Sequence, residues 1–387
     1  MTEQSSDRPT RAVRAELPTE STPLVLHVIP TRRARGAQRE ARALADHLDR
    51  PGTRRHRVLS LFDGPGDVIA DFSLDHPAGD QPATGFDPRV VLRLRRVLVH
   101  LDPTLVVAHG SEPLKYLVPA LAGRRRPLAY YAIGTYSGSG RRLQVDLWRS
   151  LVRRADVVAA EGEEVADECV ERFGVPADRV VLAPNGRDPT LFHPAPEAVR
   201  TAPPLLTFVG ALTRGKRPDK FVEVAAALRS RDAVFEAEVI GDGALRDELL
   251  EPAHAAGVEL VGLRHDVAER LRRADVFVFP SAPAGEGMPG VLIEAGLSGL
   301  PTVATAVPGV ASIVRDGETG FVVDVDDVDA MADAADRLIG DPELRAKMGR
   351  AARDHCLAHF SIDAVAARWL SLLEPLLQCP PDRGRAA

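Results

Sequence analysis

A chain of 387 residues, 45% of them apolar and 27% charged with both signs mixed, has the composition of a globular protein. It is too long for one ordinary core, since single cores stop growing near ~250–300 residues, so two α/β domains are expected. Fibrous and wholly disordered classes are excluded. The formal charge of −6 hides an asymmetry: residues 23–155 hold 22 Lys+Arg against 12 Asp+Glu (+10), and residues 191–387 hold 21 against 30 (−9). Cys169, Cys356 and Cys379 are odd in number and far apart, which argues against a disulfide framework and a zinc site and fits a reducing cytoplasm.

Residues 1–22 are polar, lack the apolar core of a signal peptide and are expected to form a tail. No apolar run approaches the ~20 residues that span a bilayer. From Pro23, LVLHVIP (24–30) reads as a buried strand and GAQREARALADHL (36–48) as a helix, the first βα unit. The strand signal returns at HRVLSLF (56–62), TLVVAHG (104–110), PLAYYAI (127–133), ADVVAA (155–160) and RVVLAPN (179–185), with helical stretches such as DPRVVLRLRRVLVHL between several of them. Such alternation predicts a parallel sheet covered on both faces.

Arginines cluster in this half at 32, 33 and 35, at 93, 95 and 96, at 124–126 and at 141–142. They form either a solvated face or a surface for an anionic acceptor or membrane. In DPRVVLRLRRVLVHL they interleave with Val and Leu, so one helical face is apolar and another positive. That pattern allows a peripheral site at the inner membrane face, although in a soluble domain the apolar face also serves to cover a sheet.

A Pro-rich stretch separates the halves, and the alternation restarts at LLTFVGA (205–211). Strands are predicted at 205–210, 234–240, 258–262, 275–279 and 301–304, helices at 216–229, 244–252, 266–273 and 290–298, and mainly helices after that. The expected boundaries are 23–195 for the first Rossmann-like domain, 196–360 for the second, 361–378 for a helix crossing back, and 379–387 for a tail. Ligands of open parallel sheets bind beyond the carboxyl ends of the strands, so both halves present loops to one cleft.

EGMPGVLIE (286–294) lies between the strand ADVFVFP (274–280) and a helix ended by Gly299. A helix start offers unpaired N–H groups and a positive dipole end, which suit a phosphate. Gly287 and Gly290 carry no side chain to block a ligand. Glu286 precedes the helix and Glu294 lies about one turn inside. Either the two carboxylates flank an anion site and grip a sugar or ribose diol, or they are ordinary acidic residues of a helix start. The acidic run 324–329 is read as helix capping by Asp327 and not as a metal site. GDGALR is a short turn into a helix, and the first βα turn lacks GxGxxG, which sets aside a nicotinamide enzyme.

Together these segments resemble the retaining glycosyltransferases of family 4, which have the two-domain GT-B fold. VVLAPNGRDPTLFHP is similar to the family's hinge signature, with Asn185, Gly186 and Phe192. LLTFVGALTRGKRPDKFVEVAAAL resembles the opening of its donor domain. VIGDGALRDELL, VELVGLRHDVAERL and EGMPGVLIEAGLSGLPTVAT follow in family order, the last with the E-x7-E spacing. The resemblance runs from about Pro23 to Leu377.

It implies that a nucleoside-diphosphate sugar is the donor. Glu294 would bind the ribose, Glu286 the donor sugar, and the loop Gly287, Met288, Pro289 and Gly290 would approach sugar and phosphates. Leu263 and Arg264 would lie near the nucleobase. Lys216 would serve the diphosphate, a role that suits a flexible ammonium, although a solvated helix-start lysine fits the same position. The resemblance implies same-face attack by an acceptor hydroxyl on a glycan, lipid or small molecule. No metal, cofactor or nucleic acid is called for.

Three positions depart from the pattern. Gly210 is followed by Ala211 and not by arginine, with Arg214 a candidate substitute. Ile133-Gly134 replaces a cleft histidine, for which His109 is either the nearest alternative or a structural histidine. Arg35 replaces a glycine of the acceptor-side loop, leaving Gly36 and Ala37. These departures keep two alternatives open: a nucleotide-sugar-binding partner with impaired catalysis, and a sugar-nucleotide epimerase of the same architecture.

Overall fold

The computed structural model describes residues 22–33, 36–50, 52–62, 68–76, 85–124, 126–135, 142–195, 203–283 and 287–378. Residues 1–21 and 379–387, which hold nearly all of both expected tails, lie outside this set, as do Arg35 and Glu286. No described helix is long and apolar enough to cross a membrane.

Two parallel sheets carry the fold, an α/β arrangement of two Rossmann-like units. The first contains β1 (Leu24–Ile29), β2 (Arg55–Phe62), β3 (Phe72–His76), β4 (Leu105–His109), β5 (Leu128–Ala132), β6 (Val157–Ala160) and β7 (Val180–Leu182). Their order is β3-β2-β1-β4-β5-β6-β7. The second contains β8 (Leu205–Val209), β9 (Glu236–Ile240), β10 (Glu259–Gly262), β11 (Val276–Phe279), β12 (Thr302–Thr305) and β13 (Gly320–Val323), in the order β10-β9-β8-β11-β12-β13. β3 and β13 escape the sequence pattern. Both are short edge strands, and edge strands need less apolar signal than strands buried on two faces.

Central strands read as continuous apolar runs because both faces are covered. On one face of the first sheet, helices Pro88–Leu101, Ser111–Ala120 and Arg142–Val152 pack Leu94, Leu117 and Val152 against Val106 and Leu128. On the other, helix Gly36–Leu48 and helix Ile362–Gln378 pack Leu44, Leu48, Trp369 and Leu373 against Val107 and Tyr131. The last helix of the chain thus covers the first sheet. Two segments therefore join the halves, and they are tied to each other: Arg187 N–H donates to Phe360 C=O (2.9 Å) and Ile362 N–H to Arg187 C=O (2.8 Å).

Beneath these last two helices, three buried histidines span adjacent strands. His27 Nδ1 lies 2.8 Å from His109 Nε2, and His27 Nε2 lies 2.9 Å from His56 Nδ1. His109 also packs its ring against Tyr131 and Trp369. Of the two readings of His109, the structure contradicts the cleft histidine and fits the structural one: its ring is buried in the core. A row of neutral imidazoles can pass one donor along its length, which leaves an unpartnered nitrogen at each end, His56 Nε2 and His109 Nδ1.

Burial holds all three rings neutral. It lowers His109 to about 3 and His56 to about 4, and pushes His27 well below its ordinary value. The unfolded chain binds more protons than the folded one below about pH 6.5, so stability falls as pH drops from 6.5 toward 4. His109→Gln is expected to flatten that fall by up to ~3 kcal/mol. Urea unfolding midpoints across this range measure it, and an unchanged slope contradicts the burial argument.

Candidate functional site

In both sheets the strand order reverses beside the first strand, at β1/β4 and at β8/β11. Loops leaving such reversals form the crevice of parallel sheets. From the second sheet these are residues 210–217 after β8 and, of the segment after β11, the described residues 280–283 and 287–289; Ala282 N–H donates to Gly215 C=O (2.8 Å). Lys216 lies on the first, with Nζ 5.6 Å from the centre of the Phe279 ring that ends β11. Gly287 to Gly290 lie on the second, where helix Gly290–Leu297 begins.

The first domain meets this loop closely. A Cβ on Gly287 would overlap Glu161 Oε1, and a Cβ on Gly290 would overlap Arg187 Nη2. The two glycines therefore clear room for side chains of the protein itself. Met288 is buried in the seam, and its carbonyl accepts from Asn185 Nδ2 (3.3 Å), whose Oδ1 accepts from Tyr131 OH (3.0 Å). Glu161, just past the carboxyl end of β6, accepts Gly134 N–H at 2.6 Å and also bonds Met288 N–H and Asn185.

Glu294 faces the same seam. Its Oε1 accepts from Arg187 Nε at 2.7 Å, while Arg187 Nη1 donates to Glu40 Oε2 at 2.9 Å. Glu40 Oε1 accepts Gly186 N–H (2.7 Å). Burial raises the Glu40 carboxyl above its ordinary value against the pull of Arg187 and the Gly186 N–H. Burial also works against the Arg187 charge, but Glu294 and Glu40 outweigh it and hold the guanidinium above its usual value.

Of the remaining predicted residues, Gly210 follows β8 beside the Lys216 stem, and Pro289 caps the Gly290 helix in an extended conformation. Gly36 and Ala37 open the helix that carries Glu40 one turn later. Arg214 does not approach the seam group: its side chain is 85% exposed and lies 3.9 Å from Glu248 on the outer helix Arg246–Ala255. Leu263 is 71% exposed and Arg264 is paired with Asp266 (2.8 and 3.0 Å), both beyond the edge strand β10. Asp327 accepts Ala330 N–H (2.9 Å) as a helix cap, and no group of His, Cys, Asp or Glu among the described residues could hold a metal.

Two family models match the chain, Glycosyltransferase Family 4 over residues 34–191 and Glycosyl transferases group 1 over residues 191–355. A GDP-mannose-dependent α-(1-6)-phosphatidylinositol monomannoside mannosyltransferase of Mycolicibacterium smegmatis is 30% identical over 74% of this chain and 80% of its own. The chain belongs to glycosyltransferase family 4. A D-inositol 3-phosphate glycosyltransferase of Nocardia farcinica is 33% identical over 59% of this chain, and the match spans about half (53%) of that relative's length. Anabaena HepE in complex with UDP superimposes with a TM-score of 0.76 at 20% identity, covering 92% of this chain and 100% of that one, which supports the GT-B fold.

Within this family 4 chain, sequence reasoning missed Glu40, Glu161 and Arg187 as seam residues. Glu161 had a readable signal, an acidic residue at the carboxyl end of a predicted strand. Glu40 lies one turn into the helix that begins at Gly36. Arg187 stood inside the hinge signature, where only its neighbours were weighed.

Burial raises the Glu161 carboxyl to about 7, opposed by the Gly134, Met288 and Asn185 hydrogen bonds. The folded chain then binds more protons than the unfolded one between about pH 4.5 and 7, so this group costs stability as pH rises through that window. Glu161→Gln is expected to remove a cost of at most ~3 kcal/mol at pH 8 and almost none at pH 4. Unfolding midpoints of the variant and parent at the two pH values test the sign. A gain at pH 4 and none at pH 8 refutes it.

Proposed function

We propose that the protein is a retaining glycosyltransferase, moving a sugar from a nucleoside-diphosphate sugar to an acceptor hydroxyl without a metal or other cofactor. The observation that carries this reading is the seam: the Gly287–Gly290 loop and the amino end of its helix meet the first domain, with Glu294 a turn inside. N–H groups and dipole at that helix start suit a diphosphate, and the Glu294 carboxylate suits a ribose diol. Lys216, on the neighbouring loop, suits the charge that develops as the diphosphate leaves.

In the reaction, the acceptor oxygen bonds to the anomeric carbon on the face from which the carbon–diphosphate bond breaks, and the acceptor proton passes to a leaving-group oxygen. The chain's part is to position both substrates and to stabilise the departing diphosphate. Glu294→Ala is expected to weaken donor binding by roughly 10- to 100-fold, the worth of hydrogen bonds to a charged group. Lys216→Ala is expected to lower kcat by about 10²-fold or more, with a smaller effect on donor affinity. Release of UDP, GDP or ADP from the matching sugar nucleotides, each with and without acceptor, measures both. Turnover unchanged in Glu294→Ala removes the reading, and donor turnover independent of acceptor points instead to an epimerase.

The acceptor is proposed to be anionic or to lie at a membrane surface. Supporting this, the relatives are named for D-inositol 3-phosphate and for a phosphatidylinositol mannoside. The first domain also exposes Leu92, Val99, Arg89, Arg93 and Arg96 along helix Pro88–Leu101, and Leu143, 86% exposed, with Leu147 on helix Arg142–Val152. Co-sedimentation with phosphatidylglycerol vesicles at low salt is the measurement, and Leu143→Glu with Leu147→Glu is expected to abolish it. No binding of the parent protein ends the membrane form of the proposal.

A further inference from the structure

Arg187 is fixed from every side at the point where the two halves join. Its backbone holds the return crossing through Phe360 and Ile362. Its Nη1 spans Glu40 and the Gly186 carbonyl (2.9 and 2.8 Å), and Glu40 is itself only 3% exposed. Its Nη2 fills the space that the missing side chain of Gly290 leaves at the start of the donor helix. The remaining nitrogen, Nε, takes Glu294 Oε1 at 2.7 Å.

What this does to Glu294 follows from geometry. A glutamate has three side-chain torsions and, on a helix surface, samples several rotamers. Here one oxygen is held by a planar donor whose own position is set by both domains, while Oε2 makes no hydrogen bond among the described residues. The side chain is about 20% exposed, as is that of Arg187 at 19%. One carboxylate oxygen is anchored, and the other is left without a hydrogen bond among the described residues on a side chain that is about one-fifth exposed.

We propose that Arg187 is a positioning residue for donor binding: it fixes the Glu294 carboxylate so that Oε2 meets the ribose hydroxyls. This rests on the reading of Glu294 as the ribose-binding group. An arginine suits the task better than a lysine, because a rigid fork can hold Glu40 and Glu294 at once, whereas an ammonium is a point charge on a flexible stem. The ordering of Glu294 is completed before the nucleotide arrives, so the nucleotide does not bear that entropy.

The test compares UDP, GDP and ADP with their 2′,3′-dideoxy counterparts by calorimetry on the full chain, in the parent and in Arg187→Gln, Arg187→Lys and Glu294→Ala. For the nucleotide the parent prefers, the ribo form is expected to bind about 10-fold or more tighter than the dideoxy form. Arg187→Gln should lose most of that ratio with little change in dideoxy affinity, and Arg187→Lys should restore part of it. Unfolding midpoints identify a variant that fails to fold, in which case Arg187→Lys alone decides: a ratio equal to the parent's overturns the proposal.

Further outcomes separate the two layers of the argument. If Glu294→Ala loses the ratio while Arg187→Gln keeps it, Glu294 grips the ribose and the proposal for Arg187 is wrong. If Glu294→Ala keeps the ratio, or the parent shows none, the reading of Glu294 itself falls. Tighter ribonucleotide binding in Arg187→Gln also overturns the proposal, since the arginine would then compete for Glu294.

Discussion

Arg187 carries a charge into the waist between two domains, where water cannot serve all five of its N–H donors, and each domain answers with a carboxylate. The energetics of such a cluster are lopsided. Assembling it from water gains little, because desolvation of three charged groups offsets their attraction, but removing Arg187 leaves the buried Glu40 carboxylate without its ion partner and costs about 3–5 kcal/mol. The triad therefore acts less as a store of stability than as a rule about geometry: it is satisfied only when helix Gly36–Leu48, the crossing at 185–187 and helix Gly290–Leu297 are all in register. Gly290 is part of the rule, since any side chain there would displace the guanidinium.

The same logic extends along the seam. Glu161 reaches from the end of β6 to Met288, Asn185 links Tyr131 to the Met288 carbonyl, and Glu164 accepts Gly309 N–H at 3.3 Å. The contacts to Met288 and Gly309 pair a side chain with backbone of a segment beyond a strand's carboxyl end. Loops there have backbone groups that no sheet ladder satisfies. In a nucleotide-binding fold those are the groups that a ligand's phosphates would take, and here side chains of the opposing domain serve several of them.

Fold and site were legible in the sequence to different degrees. Buried parallel strands announce themselves as uninterrupted apolar runs, so β1, β4, β8 and β11 could be read directly. The edge strands β3 and β13, short and half-exposed, could not. The loop at 287–290 was legible because glycine and proline between a strand and a helix leave few conformations open. Its partners were not, since Glu40, Glu161 and Arg187 are distant in sequence and nothing local tells a seam carboxylate from a surface one. His109 shows the opposite error. A histidine at a strand's carboxyl end fits the rule for cleft residues, yet side-chain alternation put its ring on the face that Trp369 covers, where His27 gives it a partner.

Apolar packing stops at the boundary. The clusters of the first sheet and those of the second share no buried member among the described residues; Phe192 and Phe360 in the crossings pack with the second sheet, and Trp369 in the last helix packs with the first. An apolar interface would resist separation, because opening it exposes area to water at about 25 cal/mol per Å². A polar one resists far less, since water or a ligand can replace each hydrogen bond at small net cost. The contacts of Glu161 and Asn185 with the 287–290 loop are of this polar kind. Arg187 differs from them, because its backbone is also bonded into the paired crossings. A contact made from the paired crossings is tied to both domains at once, and Glu294 is the second-domain carboxylate that Arg187 holds there.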